Sequence, residues 1–193
     1  MSAYERLLHF PVFRGGFFAS HTPARMPDLA AALYPTWAVL ADRVRRSAAI
    51  SVLEIGCGSG QLACLLRDLG IKDYLGLDSN PARLEPARAA CPGYRFELAD
   101  VFLSNHLRVE HYDLVVMTGF LEFVRRDLVM LESIRPHTRV LGTVTSGDEP
   151  DRVRQFTTAN QVLEQYSPVL RELHVEPIHL VHGRTAFLFE GIR

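Results

Sequence analysis

Residues 52–60, which read Val-Leu-Glu-Ile-Gly-Cys-Gly-Ser-Gly, constrain the fold more than any other stretch of this chain. The apolar beginning is typical of a strand that is covered on both faces of a parallel sheet. Glycine then occupies every second position, which permits backbone angles and close approaches that a Cβ atom would prevent. Leucines at helical spacing follow as far as Gly70. The stretch therefore predicts a strand, a tight loop and the beginning of a helix, whose free amides suit a polar or anionic ligand group.

Further strand and helix patterns alternate along the rest of the chain. Apolar runs at 74–77, 94–98, 112–117 and 139–145 predict strands, and helical patterns lie at 81–91 and 121–134. Two closing strands at 170–180 and 185–189 are separated by a connection short enough for a hairpin. We therefore expect an α/β fold with a doubly wound, seven-stranded, mostly parallel sheet, an antiparallel C-terminal hairpin, and helices on both faces.

Two segments are less regular. Residues 1–48 are predicted to form an N-terminal helical cap or lid, with helical spacing from Asp28 to Arg46 that Pro35 should interrupt. Phe13, Phe17 and Phe18, with Arg14, either close over a ligand or pack on the core. Residues 150–166 are predicted to be helical in two pieces, the second of which begins at the capping box formed by Thr158 and Gln161. Residues 49–193 form the predicted main domain.

The composition excludes several classes of protein. The formal net charge of −1 gives no general reason to expect a nucleic-acid or membrane partner. We find neither an apolar run of about 20 residues nor the apolar core of a signal peptide, so a cytoplasmic location is expected. Cys57, Cys64 and Cys91 contain no Cys-x-x-Cys pair, which predicts buried, reduced thiols rather than a disulfide framework or a zinc site.

Acidic residues follow the predicted second and third strands. Asp78 ends the second strand and Asp100 follows the third, while Thr118 and Gly119 end the fourth. Ligands of open α/β sheets bind at these carboxyl ends of the strands. An ionised carboxylate can accept hydrogen bonds from two ribose hydroxyls, and a second acid can accept one from an adenine amino group. The pattern predicts a site for an adenosine-containing ligand.

The glycine spacing separates two classes of such sites. Dinucleotide sites use Gly-x-Gly-x-x-Gly, whereas this chain has Glu54, Gly56, Gly58 and Gly60 in the order acid-x-Gly-x-Gly-x-Gly. In this motif, and in 76–81, 99–101 and 112–116, the chain resembles the class I (Rossmann-like) S-adenosylmethionine-dependent methyltransferases. The resemblance covers roughly residues 50–190. It implies S-adenosylmethionine as the cofactor, S-adenosylhomocysteine as the product, and no metal.

The resemblance also implies a role for each matching position. Glu54 and the loop from Gly56 to Gly60 would surround the methionyl part, and Asp78 would hold the ribose. Ser79 and Asn80 would flank the adenine, while Asp100 and the Val101 amide would bind its edge. The main chain at Thr118 would line the sulfonium. The predicted cofactor-binding residues are thus Glu54, Gly56, Cys57, Gly58, Gly60, Asp78, Ser79, Asn80, Asp100, Val101 and Thr118. Asp113, at the beginning of its strand, is assigned a structural role.

The acceptor is the least determined part of this prediction. A small molecule with an oxygen, nitrogen or carbon nucleophile is expected, with no nucleic acid and no membrane involved. Glu122 is the candidate catalytic base, although it also fits a solvated acid at a helix beginning. Arg152 and Arg154 bind an anionic acceptor or are surface charges. The alternatives are a non-catalytic S-adenosylmethionine-binding partner subunit and a protein or RNA methyltransferase.

Overall fold

The computed structural model describes residues 26–103, 107, 111–147 and 151–193. The chain divides into two compact units, Met1–Tyr34 and Pro35–Arg193. In the first unit, the described residues are those that begin helix α1 (Met26–Arg46). The predictions for Phe13, Arg14, Phe17 and Phe18 concern residues outside the described ranges. The division into a cap, 1–48, and a main domain, 49–193, stays a prediction.

Seven strands form one sheet in the order β3-β2-β1-β4-β5-β7-β6. The first five pair in parallel, and β7 is antiparallel to both β5 and β6. The predicted mostly parallel sheet with an antiparallel C-terminal hairpin is confirmed. The strands are β1 (Ser51–Ile55), β2 (Asp73–Asp78), β3 (Arg95–Leu98), β4 (Leu114–Thr118), β5 (Arg139–Thr145), β6 (Arg171–His179) and β7 (Thr185–Ile192).

Helices lie around the sheet, and described helices connect β1 to β2, β2 to β3 and β4 to β5. After α1, the described helices are α2 (Gln61–Asp68), α3 (Pro81–Ala90), α4 (Asp127–Ser133) and α5 (Ala159–Tyr166), with short 3₁₀ turns at Leu121–Phe123 and Val181–Gly183. Among the described helices, none is long and apolar enough to cross a membrane. The chain runs outward from β1 to β3 on one side and from β4 to β5 on the other, so the strand order reverses between β1 and β4. Ligands of doubly wound sheets bind at this reversal.

Alternation along the strands gives the sheet two chemically different faces. One face contributes Ile55, Leu77, Met117 and Val144 to a large core that also contains Tyr166 of α5. Because side chains alternate along a strand, the neighbouring residues point to the opposite face. That face carries polar side chains at the carboxyl ends of three strands: Glu54, Thr118, Thr143 and Thr145. The polar residues thus gather at the edge where the predicted site lies.

Three helix predictions were wrong in detail. Helix α1 is continuous through Pro35, although proline has no amide hydrogen for the helical bond at that position. The predicted helix over 121–134 is a 3₁₀ turn followed by α4. The helix is interrupted between Phe123 and Asp127. Asp127, the first residue of α4, is buried and binds Arg154 instead of facing solvent. The described residues 151–158 are not helical, and the capping box at Thr158 begins α5 as predicted.

Candidate active site

The loop between β1 and α2 is shaped by its three glycines. Gly56, Gly58 and Gly60 have φ angles of 73°, 54° and 81°, in the left-handed region that side chains rarely adopt. The amides of Gly56 and Cys57 donate to the Leu77 carbonyl at 2.8 and 3.0 Å, so the loop is fixed to the end of β2. The loop therefore lies across the carboxyl ends of two neighbouring strands, as the sequence predicted.

Asp78 connects this loop to the end of β2. Its side chain is 6% exposed, and its two carboxylate oxygens accept from the Gly58 amide at 2.9 Å and from the Asn80 amide at 2.8 Å. An ionised carboxylate has about four lone-pair positions, so two acceptor positions remain for a ligand. The carboxylate is thus held in place by protein amides and can still accept two hydroxyl hydrogen bonds.

The adjoining predicted residues line the same edge. Ser79 is exposed, and Asn80 caps α3 through a bond from the Ala82 amide to its Oδ1 at 3.0 Å. Asp100 is exposed after β3, where its Oδ1 accepts from the Phe102 amide at 2.9 Å. Val101 beside it is half-buried. A bond of 3.1 Å from the Ala99 amide to the Asp78 carbonyl holds the ends of β2 and β3 together, so these residues form one rim.

Glu54, the acid that precedes the glycine loop, is almost fully buried, and its role in cofactor binding stays a prediction. It is 2% exposed, and its Oε2 accepts a hydrogen bond from the buried Tyr74 hydroxyl. Burial raises the pKa of the Glu54 carboxyl to about 8, although the Tyr74 hydrogen bond opposes this change. Cys57 is also buried, and burial raises the pKa of its thiol. The Tyr74 hydroxyl thus links the buried Glu54 carboxyl of β1 to the neighbouring strand β2.

The end of β4 completes the site on its other side. The Gly119 amide donates to the Thr143 carbonyl at 3.0 Å. The Phe120 ring packs against Gly56 so closely that a Cβ atom at Gly56 would lie 2.6 Å from Phe120 Cδ2. Thr118 is half-buried at the strand end. The glycine loop therefore lies against the residues that follow β4, which brings the predicted cofactor residues and the predicted acceptor region together.

Glu122 is fully buried rather than solvated at a helix beginning. Its Oε1 accepts from the Thr145 amide at 3.0 Å and the Thr145 hydroxyl at 2.9 Å, and lies 3.4 Å from Arg152 Nη1. The Arg152 guanidinium also donates to the Thr145 carbonyl and hydroxyl. Burial raises the pKa of the Glu122 carboxyl, while its bonds with Thr145 and the charge of Arg152 oppose this rise. A role for Glu122 as a base stays a prediction.

The two arginines after β5 each face a buried carboxylate. Arg152 faces Glu122 with only 1% of its side chain exposed, and Arg154 makes a two-bond ion pair with the buried Asp127, with an Nη2–Oδ1 distance of 2.6 Å. Both guanidinium groups already face a carboxylate. The interpretation of Arg152 as a plain surface charge was therefore wrong, while a role of either arginine toward an anionic acceptor stays a prediction.

The predictions for Asp113 and for the three cysteines can be compared with the structure. Asp113 accepts from the amides of Ile50 and Ser51 at 2.8 and 3.0 Å, which lowers the pKa of its carboxyl and agrees with its assigned structural role. All three cysteines are buried and free, as predicted. Among the described residues, no group of three or more His, Cys, Asp and Glu side chains could hold a metal ion.

The sequence interpretation missed Thr143 and Thr145. Both are nearly fully buried, on one face of a strand whose other residues between Val140 and Val144 are apolar or glycine. Two threonines at alternate positions of an otherwise apolar strand were the available signal, since a buried hydroxyl needs a hydrogen-bonding partner. Glu122, which is the partner of Thr145, is 23 positions away in the sequence, which hid the connection.

The chain is similar in sequence to known methyltransferases. Residues 53–144 match a family model described as a methyltransferase domain. The chain is 31% identical over 123 residues to the trans-aconitate 2-methyltransferase of Enterobacter sp. (strain 638), which covers 60% of this chain and 48% of that protein. It is 41% identical over 66 residues to the ribosomal protein L11 methyltransferase of Cupriavidus necator, which covers 34% and 22%. The matched region thus spans 48% of the length of the Enterobacter relative and 22% of the length of the Cupriavidus relative.

Solved structures share the architecture over most of the chain. An S-adenosylmethionine-dependent methyltransferase from Mesorhizobium loti matches with a TM-score of 0.63 at 17% identity, covering 84% of this chain and 98% of that one. The N-terminal domain of EvdMO1, solved in the presence of SAH and D-fucose, matches with a TM-score of 0.63 at 15% identity, covering 81% and 82%. At these identities, the likeness concerns the fold.

Proposed function

The chain belongs to the class I (Rossmann-like) S-adenosylmethionine-dependent methyltransferases, and we propose that it transfers a methyl group from S-adenosylmethionine to an oxygen, nitrogen or carbon atom of a small molecule. When bound, the cofactor supplies a methyl group on a positively charged sulfur, which is the reactive chemistry. The chain itself binds the cofactor and the methyl acceptor, orients them toward each other, and excludes water from the site.

The observation that carries this proposal is the carboxylate of Asp78 under the glycine loop. Asp78 is nearly buried and is oriented by the amides of Gly58 and Asn80, yet retains two acceptor positions. A ribose with two neighbouring hydroxyls fits those positions. The exposed Ser79, Asn80 and Asp100 then border the adenine, with Val101 beside it, and the loop from Gly56 to Gly60 borders the methionyl part. Thr118 would lie nearest the sulfur.

The choice of a small molecule rests on charge and on one relative. The formal net charge of −1 gives no general reason to expect a nucleic-acid acceptor, and the relative from Enterobacter is named for a small-molecule acceptor. The relatives from Cupriavidus are named for a ribosomal protein, so a protein acceptor is the second candidate. A non-catalytic cofactor-binding subunit is the third. A cytoplasmic location is part of the same proposal.

Calorimetry with S-adenosylhomocysteine tests the cofactor site. We expect Asp78→Ala to weaken binding by about tenfold or more, because it removes charge-assisted hydrogen bonds to the ribose. Asp73→Ala is the matched control, since Asp73 begins the same strand and is exposed at its far end. Equal affinity in the wild type and Asp78→Ala, or tighter binding of NADH than of S-adenosylhomocysteine, would contradict the proposed cofactor site.

The acceptor class needs a separate measurement. Release of S-adenosylhomocysteine is followed with a library of small metabolites and, in parallel, with ribosomal proteins. Turnover with small molecules alone supports the proposal. Turnover with a protein supports the second candidate, and tight cofactor binding without any turnover supports the non-catalytic subunit.

A further inference from the structure

Three buried side-chain oxygens at one edge of the sheet have no hydrogen-bond partner. They are Thr118 Oγ1, Thr143 Oγ1 and Glu122 Oε2. Thr143 and Glu122 are 1% and 0% exposed, so solvent does not replace the missing bonds. A buried polar atom without a partner costs free energy, and most such atoms in folded proteins are paired. Three in one region therefore need an explanation.

These oxygens belong to one place in the fold. Thr118 and Thr143 are register partners at the carboxyl ends of β4 and β5. Thr145 follows two positions later on the same face of β5, and its amide and hydroxyl bind Glu122 Oε1. The unpartnered atoms thus lie around the ends of β4 and β5, next to the residues that line the proposed cofactor site.

The Glu122 carboxylate is fixed in a single orientation. One oxygen receives two bonds from Thr145 and faces Arg152, whose side chain is 1% exposed. The carbonyl of Glu122 also accepts from the amides of Val153 and Arg154 at 2.9 and 3.1 Å. The second oxygen is left unpaired although its own side chain is so firmly held. Such a rigid, unsatisfied acceptor is typical of a preorganised binding group.

We propose that the methyl acceptor donates hydrogen bonds to Glu122 Oε2 and to the hydroxyls of Thr118 and Thr143, and that it is a hydroxyl- or amine-bearing molecule rather than a carboxylate. This inference rests on the proposed function, because it concerns the acceptor side of the same site. It names the substrate class that the comparison with relatives leaves open.

The chemistry of the three groups selects donors. An ionised carboxylate only accepts hydrogen bonds, and a threonine hydroxyl can accept as well as donate. A carboxylate ligand has no hydrogen to donate to Glu122 Oε2, and in a buried site the two carboxyl groups would repel each other unless they shared a proton. Arg152, the nearest described cation, already binds Glu122 and Thr145. A hydroxyl or an amine satisfies the unpaired atoms without this repulsion.

Two valine substitutions on one strand test the first step. Thr143→Val removes an unpaired hydroxyl, so its melting temperature should equal or exceed that of the wild type. Thr145→Val is the matched control on the same face of β5. It removes a hydroxyl bonded to both Glu122 and Arg152, and should lower the melting temperature. A comparable loss in both variants would show that Thr143 is satisfied within the protein and would overturn the inference.

A panel of matched ligands tests the second step. The probes are small molecules of several carbon skeletons, each prepared as an alcohol, an amine and a carboxylate, and binding is measured by ligand-observed NMR with saturating S-adenosylhomocysteine. We expect an alcohol or amine to bind more tightly than its carboxylate counterpart. Thr143→Val and Glu122→Gln should each weaken that binding by about tenfold. Glutamine keeps an oxygen for Thr145 but presents an NH₂ group in place of Oε2.

The outcomes separate this inference from the proposed function. Tighter binding of carboxylates, no binding of any alcohol or amine, or unchanged binding in both variants would overturn it. Loss of S-adenosylhomocysteine binding by wild-type protein would instead contradict the proposed function. Thr138→Val serves as a folding control, because Thr138 is a buried threonine that precedes the opposite end of β5.

Discussion

Two independent constraints exclude a side chain at Gly56. Its φ of 73° lies in the left-handed region, and a Cβ atom there would approach Phe120 Cδ2 to 2.6 Å. Gly70 shares only the first constraint, with a φ of 84° and no atom within 4 Å of its ideal Cβ position. The two glycines therefore allow the cost of backbone strain to be separated from the cost of the contact with Phe120.

We expect Gly70→Ala to lower the free energy of unfolding by about 1–2 kcal/mol, the usual cost of a left-handed alanine. Gly56→Ala should cost more, and should also weaken S-adenosylhomocysteine binding, because Phe120 and the loop must move apart. Denaturant unfolding and calorimetry of both variants give the comparison. The same loss of stability in both, with cofactor affinity unchanged, would contradict the role of the Gly56–Phe120 contact.

Asp78 and Glu122 show which features of the candidate site could be predicted from the sequence. Asp78 was predicted as a site residue because its position after a strand and its distance from the glycine loop follow from local spacing. Glu122 was predicted as a catalytic base or a solvated acid at a helix beginning, because nothing local indicates its burial. Its partners, Thr145 and Arg152, are 23 and 30 positions away. Contacts of that separation depend on how the connections between strands fold, which no local pattern contains.

Helices α2 and α3 approach each other through a pair of buried thiols. Cys64 lies in α2, Cys91 follows α3, and their sulfur atoms are 3.2 Å apart. The Cys91 hydrogen bond and the nearby Arg67 charge lower the pKa of the Cys64 thiol, although burial opposes this. Cys57, by contrast, is buried in the loop, and burial raises the pKa of its thiol. Reactivity depends on the thiolate form, so the two sites should differ.

We expect diamide, an oxidant of thiols, to convert Cys64 and Cys91 to a disulfide before it modifies Cys57. Each thiol loses one hydrogen to diamide, and the sulfur atoms need to approach by only about 1 Å to reach bonding distance. Mass spectrometry of non-reduced peptides identifies the product, and Cys64→Ser is the control that removes it. Earlier modification of Cys57, or no cross-linked peptide, would contradict this prediction.

At the level of elements, strands were predicted better than helices. Buried parallel strands are mostly apolar runs, so β4, whose apolar residues lie between Asp113 and Gly119, is clear from the sequence alone. Helix α1 and the region 121–134 depend on tertiary packing. Pro35 would end an isolated helix, and Asp127 would not be recognised as the partner of Arg154. Element boundaries set by distant partners cannot be obtained from periodicity.

Across the whole molecule, buried carboxyl groups couple stability to pH. Glu54 has a pKa of about 8 in the folded protein, against an ordinary value of 4.5, because burial disfavours its charge. Burial also raises the pKa of Glu122. A folded-state pKa above the unfolded value means that the native state binds the proton more tightly. The resulting stabilisation is present below about pH 4.5 and is lost as the pH rises through about 8. Asp113 acts in the opposite direction, because its lowered pKa stabilises the fold only above the acidic range.

The wild-type protein should therefore lose stability as the pH is raised from 5 to 8.5, and Glu54→Gln should remove most of that loss. Glutamine still accepts the Tyr74 hydrogen bond but has no charge to bury. Denaturant unfolding at a series of pH values, without cofactor, measures the difference between the two proteins. Asp73→Asn is the control, since Asp73 is an exposed acid on β2. A constant difference in the free energy of unfolding between wild type and Glu54→Gln across this range would contradict the prediction. It would show that the Glu54 carboxyl stays ionised beside the Tyr74 hydroxyl in the folded protein.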